Sequence, residues 1–470
     1  MVFSGITFLV YFLPVFLLLY HLSPNKYKNA VILIASIYFY SWGGPRFIFV
    51  ILGTTFLDYF LVNAMYNQKT QKGKKKFLVI SLLLNLGLLF YFKYCNFFIE
   101  NINALFGADI TWLKVILPIG ISFYTFESLT YVVDVYRGIH KPLKNFMHYQ
   151  TYILLFPKLI AGPIVRYHDI ADQITDRVKN YTPEIKLSGF LIFCIGLAKK
   201  TIIANTLGMQ ADAVFKLDIS QIDTATAWIG TLAYTFQIYF DFSGYSDMAI
   251  GLGKIMGFKF PENFNNPYTS SGITDFWRRW HITLGTWMKN YLYIPLGGNK
   301  VSDGTLYRNL IIVFLLSGLW HGASWNFVLW GAYHGLFLVL ERLFLGKVFQ
   351  KLGRWISVPI TFIIVATGWV LFRNEDLHYG LQVIKQLYAF NFFDGKFAVN
   401  NDFVVMAILA GFISFFAITR ATKGLQDKIY GENFPGASKW LVVLSGIVLF
   451  YISLSYVSAL DFNPFIYFRF

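Results

Sequence analysis

Long apolar runs, separated by short polar loops, make up most of the chain. Their lengths predict helices near the length of about 20 residues that crosses a membrane. The predicted spans are 2–21, 29–42, 46–63, 77–94, 115–133, 187–204, 225–245, 308–320, 325–343, 356–372, 403–419 and 440–459. Two of these spans are short for a full crossing. The stretches 150–162 and 281–296 are interpreted as re-entrant or interfacial helices.

The composition agrees with this pattern and excludes a soluble protein. Apolar residues make up 56%, aromatic residues 20% and charged residues 14% of the sequence, and the mean hydropathy is +0.52. Soluble proteins carry about 25% charged residues. The predicted fold is therefore an all-α polytopic membrane protein with one membrane domain over residues 1–470. Residues 2–20 lack the basic region and cleavage site of a signal peptide, so we interpret them as a membrane helix.

Basic residues concentrate in the loops between the apolar runs. Loop 67–76 carries five lysines, which predicts a cytoplasmic position. Alternation of the spans then puts loop 246–309 inside and both chain ends outside, as expected for a multi-pass protein of the cell membrane. These loops explain the net charge of +15, so membrane lipids are expected as partners and nucleic acid is not. Cys95 and Cys194 lie in or beside apolar runs and predict neither a disulfide framework nor a metal site.

Proline and glycine interrupt the apolar pattern at two places. The segments 117–120 (LPIG) and 156–163 (FPKLIAGP) are expected to break helices. Irregular backbone at membrane depth is tolerated only against protein or a water-filled cavity. The sequence therefore predicts a solvated cavity or funnel.

A histidine stands at the inner end of one apolar run. The run Leu310–Trp320 ends at His321, and the topology requires this run and the next to form an up-and-back pair. Titratable groups at membrane depth are costly and tend to mark function. Gly318 and Gly322 form a small-xxx-small pair, which lets another helix or a ligand approach the backbone closely. His321 is therefore a candidate general base, with a helix-end histidine bonded to a carbonyl as the structural alternative.

A second histidine, His281, lies in an aromatic segment. Trp277, Trp280, His281 and Leu284 fall at i, i+3, i+4 and i+7, which predicts that they share one helical face. An imidazole packed on tryptophans is often a satisfied structural residue. Proton relay and substrate positioning are the functional alternatives.

Four basic residues and a glycine-rich turn surround His281 in the sequence. The basic residues are Arg278, Arg279, Lys289 and Lys300, and the turn is 296–299 (LGGN). These side chains could simply anchor the segment on the cytoplasmic side. They could also bind the phosphates of a cytoplasmic cosubstrate, since the guanidinium fork of arginine suits phosphate.

Two aspartates, Asp241 and Asp247, lie in the apolar segment 239–251. Their spacing of six residues puts them on different helical faces, which argues against a shared cation site. We interpret Asp241 as structural, with an arginine as its expected partner, and extend the structural interpretation to three further acids. These are Asp58, Glu127 and Asp134. A transporter or flippase that uses the two aspartates and the broken helices is an alternative of another class, but no internal repeat supports it.

Several motifs together carry a family resemblance. They are 154–167 (LLFPKLIAGPIVRY), 241–253 (DFSGYSDMAIGLG), 260–268 (FPENFNNPY), 275–299 (DFWRRWHITLGTWMKNYLYIPLGGN) and 317–327 (SGLWHGASWNF). The chain resembles the membrane-bound O-acyltransferase (MBOAT) family. The PLGGN turn is similar to the bacterial branch that O-acetylates alginate and peptidoglycan. The resemblance implies a ring of about 11–12 tilted helices around a central funnel, with His321 as the catalytic histidine and His281 as the second motif histidine.

The resemblance also implies a reaction and partners. The expected donor is acetyl-CoA, bound from the cytoplasm as a cosubstrate, with no resident cofactor. The expected extracytoplasmic partner is an SGNH-type acetyltransferase that passes acetyl to a polysaccharide acceptor. The function implied is an integral membrane O-acetyltransferase, with D-alanyl or other acyl transfer to a cell-wall polymer as the alternative.

The C-terminal tail, residues 460–470, is aromatic and is placed on the extracytoplasmic side. Pro464 ends any helix from the last span. The final hexapeptide, FIYFRF, resembles the C-terminal motif of the small partner peptide in the D-alanine system. That resemblance implies that Tyr467 carries the acyl group transiently, with His321 as its base. An interfacial aromatic anchor is the alternative.

Overall fold

The computed structural model describes residues 1–177, 180–392, 399–436, 438–459 and 466. Within these residues the secondary structure is helical, apart from an isolated β-bridge between Phe264 and Trp280. The prediction of an all-α fold is confirmed. The chain divides into two compact units, residues 1–190 with 248–261 and residues 191–247 with 262–470. The single membrane domain over 1–470 stays a prediction.

The first unit contains the N-terminal helices. They are α1 (Leu13–Leu22), α2 (Lys28–Gly43), α3 (Ile48–Tyr66), α4 (Gln71–Leu89), α5 (Cys95–Phe106), α6 (Ile121–Tyr136), α7 (Phe146–Leu154), α8 (Phe156–Leu159) and α9 (Tyr167–Thr175), while α10 (Pro183–Ala198) continues into the second unit. Both predicted breaks are present. Gly120 adopts φ +76° before α6, and a Cβ added there would lie 2.7 Å from the Leu159 carbonyl oxygen. The two interrupted segments therefore touch at Gly120.

Buried acids of the first unit have local partners. Glu127 forms an ion pair with Lys158, and Asp58 accepts a hydrogen bond from Asn85 Nδ2 at 2.7 Å. Asp134 Oδ2 lies 2.7 Å from His168 Nδ1. A buried charge is costly unless it is paired or hydrogen-bonded. These contacts fit the structural interpretation of the three acids.

The second unit contains the segments with both motif histidines. Its helices are α11 (Asn205–Val214), α12 (Thr224–Ile255, which ends in the first unit), α13 (Ile273–Arg279), α14 (Ile282–Met288), α15 (Asp303–His321), α16 (Trp325–Leu340), α17 (Gly346–Leu352), α18 (Arg354–Arg373), α19 (Leu377–Leu387), α20 (Asn401–Phe416), α21 (Arg420–Ile429) and α22 (Ser438–Ala459). Its core is aromatic. Trp369 of α18 packs on Trp280 and Trp330, with ring centroids 4.8 and 5.9 Å away. This core joins α16, α18 and the end of α13.

Each predicted span overlaps a helix of the structure, although span 115–133 becomes helical only at Ile121. Within the described part of the chain, six helices are long and apolar enough to cross a membrane, and a seventh is added if α20 and α21, which meet at 101°, form one span. The expected 11–12 spans include shorter helices, such as Thr7–Leu22, that fall below this length. The chain is thus a multi-pass membrane protein. The ring of helices around a funnel stays a prediction.

Candidate active site

A helical hairpin, α15 and α16, carries His321 at its turn. α15 ends at His321, and Gly322 is extended. A Cβ on Gly318 would lie 2.1 Å from the Phe327 carbonyl oxygen, and one on Gly331 would lie 2.3 Å from that of Phe314. The two helix backbones are therefore in direct contact. The predicted close approach at Gly318 is present, and the approaching element is α16.

His321 lies in an enclosure of aromatic rings. Its side chain is buried, and its ring packs edge-on against Trp320, Trp330 and Phe372, with centroids 5.0, 5.3 and 5.1 Å away. These rings come from α15, α16 and α18. The enclosure limits the directions from which a reacting group can reach the imidazole.

His281 lies at a break between two short helices, so the predicted continuous helical face through it is wrong. α13 ends at Arg279, Trp280 is extended, and His281 has φ +45° directly before α14. The segment 263–265 holds this break. Asn265 donates its N–H to the Arg279 carbonyl, and Ile282 donates to the Asn263 carbonyl, both at 2.9 Å. A tertiary strand-like contact therefore overrides the helical periodicity.

The side chain of Asn263 also contacts the His281 ring. His281 Nδ1 lies 3.0 Å from Asn263 Oδ1, and the Phe242 ring packs edge-on against the imidazole at 4.7 Å. His281 is only 2% exposed. Burial lowers the pKa of His281 to about 3, because a desolvated imidazolium is unfavourable. The ring is therefore neutral at physiological pH.

A cavity of about 440 Å³ adjoins His281. Its lining residues come from α13 to α16, from the segments between them and, for Arg342, from the turn that follows α16. They are Thr274, Trp277, Arg278, Trp280, His281, Ile282, Leu284, Gly285, Thr286, Met288, Lys289, Tyr293, Asn299, Leu310, Val313, Phe314, Ser317, Leu338 and Arg342. All four residues of the predicted helical face line this cavity, although the helix is broken. His321 is not a lining residue, but Ser317, one turn earlier on α15, is.

The structure separates the four predicted donor-binding residues into two pairs. Arg278 and Lys289 line the cavity. Arg279 instead donates to Asp275 at 2.9 Å and to the Asn265 carbonyl at 3.4 Å, and neither Arg279 nor Lys300 lines it. Arg278 and Lys289 are therefore the members of the set placed to meet a ligand there.

The sequence interpretation missed Arg342 as a third basic residue of the cavity. Arg342 Nη2 donates to Asn299 Oδ1 at 3.2 Å, and the Tyr293 hydroxyl donates to the same oxygen at 2.7 Å. Asn299 closes the glycine-rich turn, in which Gly297 and Gly298 have positive φ. The turn was visible in the sequence. Its contact with an arginine 43 positions later depends on tertiary structure.

A third buried histidine, His334 on α16, was also missed. Its ring packs against Trp277 and Trp330, with centroids 4.9 and 5.2 Å away. In the described part of the chain neither ring nitrogen has a hydrogen-bond partner. Trp277 lines the cavity, so His334 lies directly behind its wall. The apolar run in which it occurs gave no periodic signal for it.

The two aspartates of α12 have separate lysine partners, so the expected arginine partner of Asp241 is wrong. Asp241 lies 2.7 Å from Lys200, and Asp247 lies 2.7 Å from Lys199. Asp241 also accepts a hydrogen bond at 2.9 Å from the backbone N–H of Ile466, which is buried in the core of the second unit. Tyr467, the predicted acyl carrier, lies outside the described residues.

Comparison with known proteins gives one family. The model of the membrane-bound O-acyltransferase family matches residues 137–351. The chain is 39% identical to the protein named "Probable alginate O-acetylase AlgI" of Pseudomonas putida, over 100% of both chains. It is 36% identical to a peptidoglycan O-acetyltransferase of Helicobacter pylori, over 83% of this chain and 80% of the relative. A teichoic acid D-alanyltransferase of Bacillus subtilis is 29% identical over 56% of this chain and 70% of the relative.

Proposed function

Since the chain belongs to the membrane-bound O-acyltransferase family and is therefore an acyltransferase, we propose that it is an O-acetyltransferase of the cell membrane. It takes acetyl from a cytoplasmic thioester donor, acetyl-CoA, and passes it outward for O-acetylation of an extracellular or cell-wall polysaccharide. The alginate and peptidoglycan O-acetylases to which it is similar support the acetyl group and the acceptor class. The D-alanyltransferase matches at lower identity and coverage.

The cavity next to His281 carries this proposal. Arg278, Lys289 and Arg342 supply three positive charges to its lining, and CoA carries phosphates that such side chains bind well. Between them the wall is apolar and aromatic, with Trp277 and Leu284, as suits the extended arm of a thioester donor. A basic surface beside an apolar slot thus matches the two halves of the proposed cosubstrate.

His321 is the proposed general base. The imidazole accepts the proton of an acceptor hydroxyl as the oxygen attacks the thioester carbonyl. The carbon–sulfur bond then breaks, an ester forms, and CoA leaves as the thiolate. The proton passes from His321 to the thiolate or to solvent. Trp320, Trp330 and Phe372 pack around the ring, and this enclosure limits competing attack by water.

The first acceptor hydroxyl in this proposal is that of Tyr467. Its described neighbour, Ile466, is buried, and the Ile466 N–H donates to Asp241; this contact of Ile466 supports the proposal. An aryl acetate is an energy-rich ester, suited to onward transfer by an extracytoplasmic SGNH-type partner to a sugar hydroxyl. His321 thereby links the cytoplasmic donor to the extracellular acceptor.

Substitutions at two adjacent arginines, Arg278 and Arg279, test whether the cavity binds the donor. In Arg278→Gln, loss of a charge-assisted phosphate contact of about 1.5–3 kcal/mol should raise KM for acetyl-CoA roughly 10- to 100-fold. We expect kcat to change little, the pattern for uniform binding. The assay measures acetyl transfer by the purified protein through the release of free CoA.

Arg279→Gln is the matched control, since Arg279 pairs with Asp275 and does not line the cavity. We expect its KM to remain that of wild type. Equal KM values for the two variants would contradict the donor site. No release of CoA by the wild type, together with activity on a D-alanyl thioester, would favour the D-alanyl alternative.

A further inference from the structure

The Asn263 side chain is held in one orientation. Its Oδ1 accepts from the backbone N–H of Thr283 at 3.3 Å and from the Thr283 hydroxyl at 2.9 Å. Its Nδ2 donates to Ser246 Oγ at 3.0 Å. Since a backbone N–H can only donate, the oxygen must face Thr283 and the amide cannot be reversed. The same oxygen faces His281.

This orientation determines the tautomer of His281. Nδ1 lies 3.0 Å from Asn263 Oδ1, which has no hydrogen to donate, so Nδ1 must carry the proton. In a neutral imidazole the lone pair is then on Nε2. Nε2 is buried and has no hydrogen-bond partner within the described parts of the chain. It is a base and an acceptor, and it cannot donate a hydrogen bond.

We propose that Asn263 is a positioning residue that holds neutral His281 in the Nδ1–H tautomer, so that the ring offers an acceptor, and not a donor, to any ligand group that reaches Nε2 from the adjoining cavity. The part that concerns the ligand rests on the proposed function; the tautomer does not. In this tautomer Nε2 carries no hydrogen. His281 therefore cannot donate a hydrogen bond from Nε2 to the thioester carbonyl, and its role is that of an acceptor.

The charges around His281 favour the neutral ring. On the cavity side lie the cations Arg278, Lys289 and Arg342, and His321 lies beyond Trp320, which contacts both histidines. On α12, Ser246 contacts Asn263, the partner of His281. The next residue, Asp247, forms an ion pair with Lys199 and accepts a hydrogen bond from the Tyr430 hydroxyl. Burial lowers the pKa of His281 to about 3 in this setting.

Direct observation of the tautomer is the first test. Protein with labelled histidine in detergent is examined by ¹³C and ¹⁵N NMR, and the His281 signals are identified by their absence in His281→Asn. We expect the Nδ1–H form in wild type and a mixture of tautomers in Asn263→Ala. An Nε2–H form in wild type would overturn the proposal. This readout does not depend on which acyl group is transferred.

Rescue by an isosteric residue is the second test. Asn263→Ala should lower kcat roughly 10- to 100-fold, as for other residues that orient a functional histidine. Asn263→Asp keeps an acceptor beside Nδ1, so its rate at high pH should approach that of wild type. The new carboxylate raises the pKa of His281, and a protonated ring has no lone pair. The acid limb in the pH–rate profile of Asn263→Asp should therefore lie at higher pH than the limb that protonation of the general base His321 gives the wild type.

Ser246→Ala is the matched control, since it removes the partner of Asn263 Nδ2 and leaves Oδ1 in contact with His281. We expect wild-type tautomer and pH profile in this variant. Equal losses in Asn263→Ala and Asn263→Asp at every pH, with wild-type tautomer in both, would mean that Asn263 only stabilises the fold, and the proposal would be wrong.

Discussion

Gly318→Ala tests how closely the hairpin fixes His321. The added Cβ would lie 2.1 Å from the Phe327 carbonyl oxygen and 3.0 Å from the carbonyl carbon, whereas ordinary contacts are 3.4–4 Å. The obstacle is backbone of α16, which cannot rotate away. α15 and α16 must therefore separate by about an ångström, and His321 lies at the end of the helix that moves.

The magnitude follows from two opposing effects. Overpacking costs about 1–3 kcal/mol, and the close approach to backbone at Gly318 puts this variant at the upper end. Alanine returns up to about 1 kcal/mol through its helix propensity. The expected net destabilisation is therefore about 2 kcal/mol. A misplacement of about 1 Å at a catalytic group can lower the rate about 100-fold, so acetyl transfer should fall more than stability alone predicts.

The assay is thermal unfolding in detergent, combined with acetyl transfer at a temperature at which both proteins are folded. Gly304→Ala is the control, because Gly304 lies on the same helix with nothing within 4 Å of an added Cβ. We expect that variant to match or slightly exceed the wild-type midpoint. A Gly318→Ala protein with wild-type midpoint and rate would refute the argument from hairpin packing.

Two further predictions concern the transfer itself. His321→Ala should lower transfer by at least about 100-fold, as for loss of a general base, while the protein still folds and inserts; transfer above a tenth of wild type would remove His321 from that role. Tyr467→Phe should stop glycan acetylation and leave acetyl-CoA binding intact, and intact-mass analysis of the wild-type C-terminal peptide without its partner should show one added acetyl. Full glycan acetylation by Tyr467→Phe would leave the tail as an anchor.

Sequence pattern predicted those features that depend on local physics. The apolar runs predicted where helices occur. A long apolar run in a membrane must satisfy its backbone N–H and C=O groups internally, and a helix does so. The helix breaks near Gly120 and Pro157 followed from backbone chemistry. The close approach at Gly318 followed from its small side chain, although the pattern left open whether a helix or a ligand would fill the space. The acyltransferase family, recognised through motifs, favours an enzyme over the transporter alternative.

Features set by contacts distant in sequence were beyond such patterns. The helical period through Trp277 and Leu284 was present, yet the bridge between Phe264 and Trp280 breaks the helix at His281. Charge alone also could not separate Arg278 from Arg279. The Asp275–Arg279 ion pair is local, one helical turn apart, and could have been read from the spacing; the position of Arg278 in the cavity wall required the tertiary structure.

The two motif histidines are held by different physical means, and this difference explains what each substitution can reveal. His321 is placed by backbone packing between α15 and α16, so its position responds to volume at Gly318. His281 is placed by a hydrogen bond that its Nδ1–H donates to Asn263 Oδ1. Asn263→Asp exchanges one atom at nearly constant volume, so it can change the proton state of His281 without moving the ring. Trp320 contacts both rings. A volume change that moves α15 therefore disturbs both histidines, whereas a change at Asn263 separates proton state from position and tests the chemistry of His281 alone.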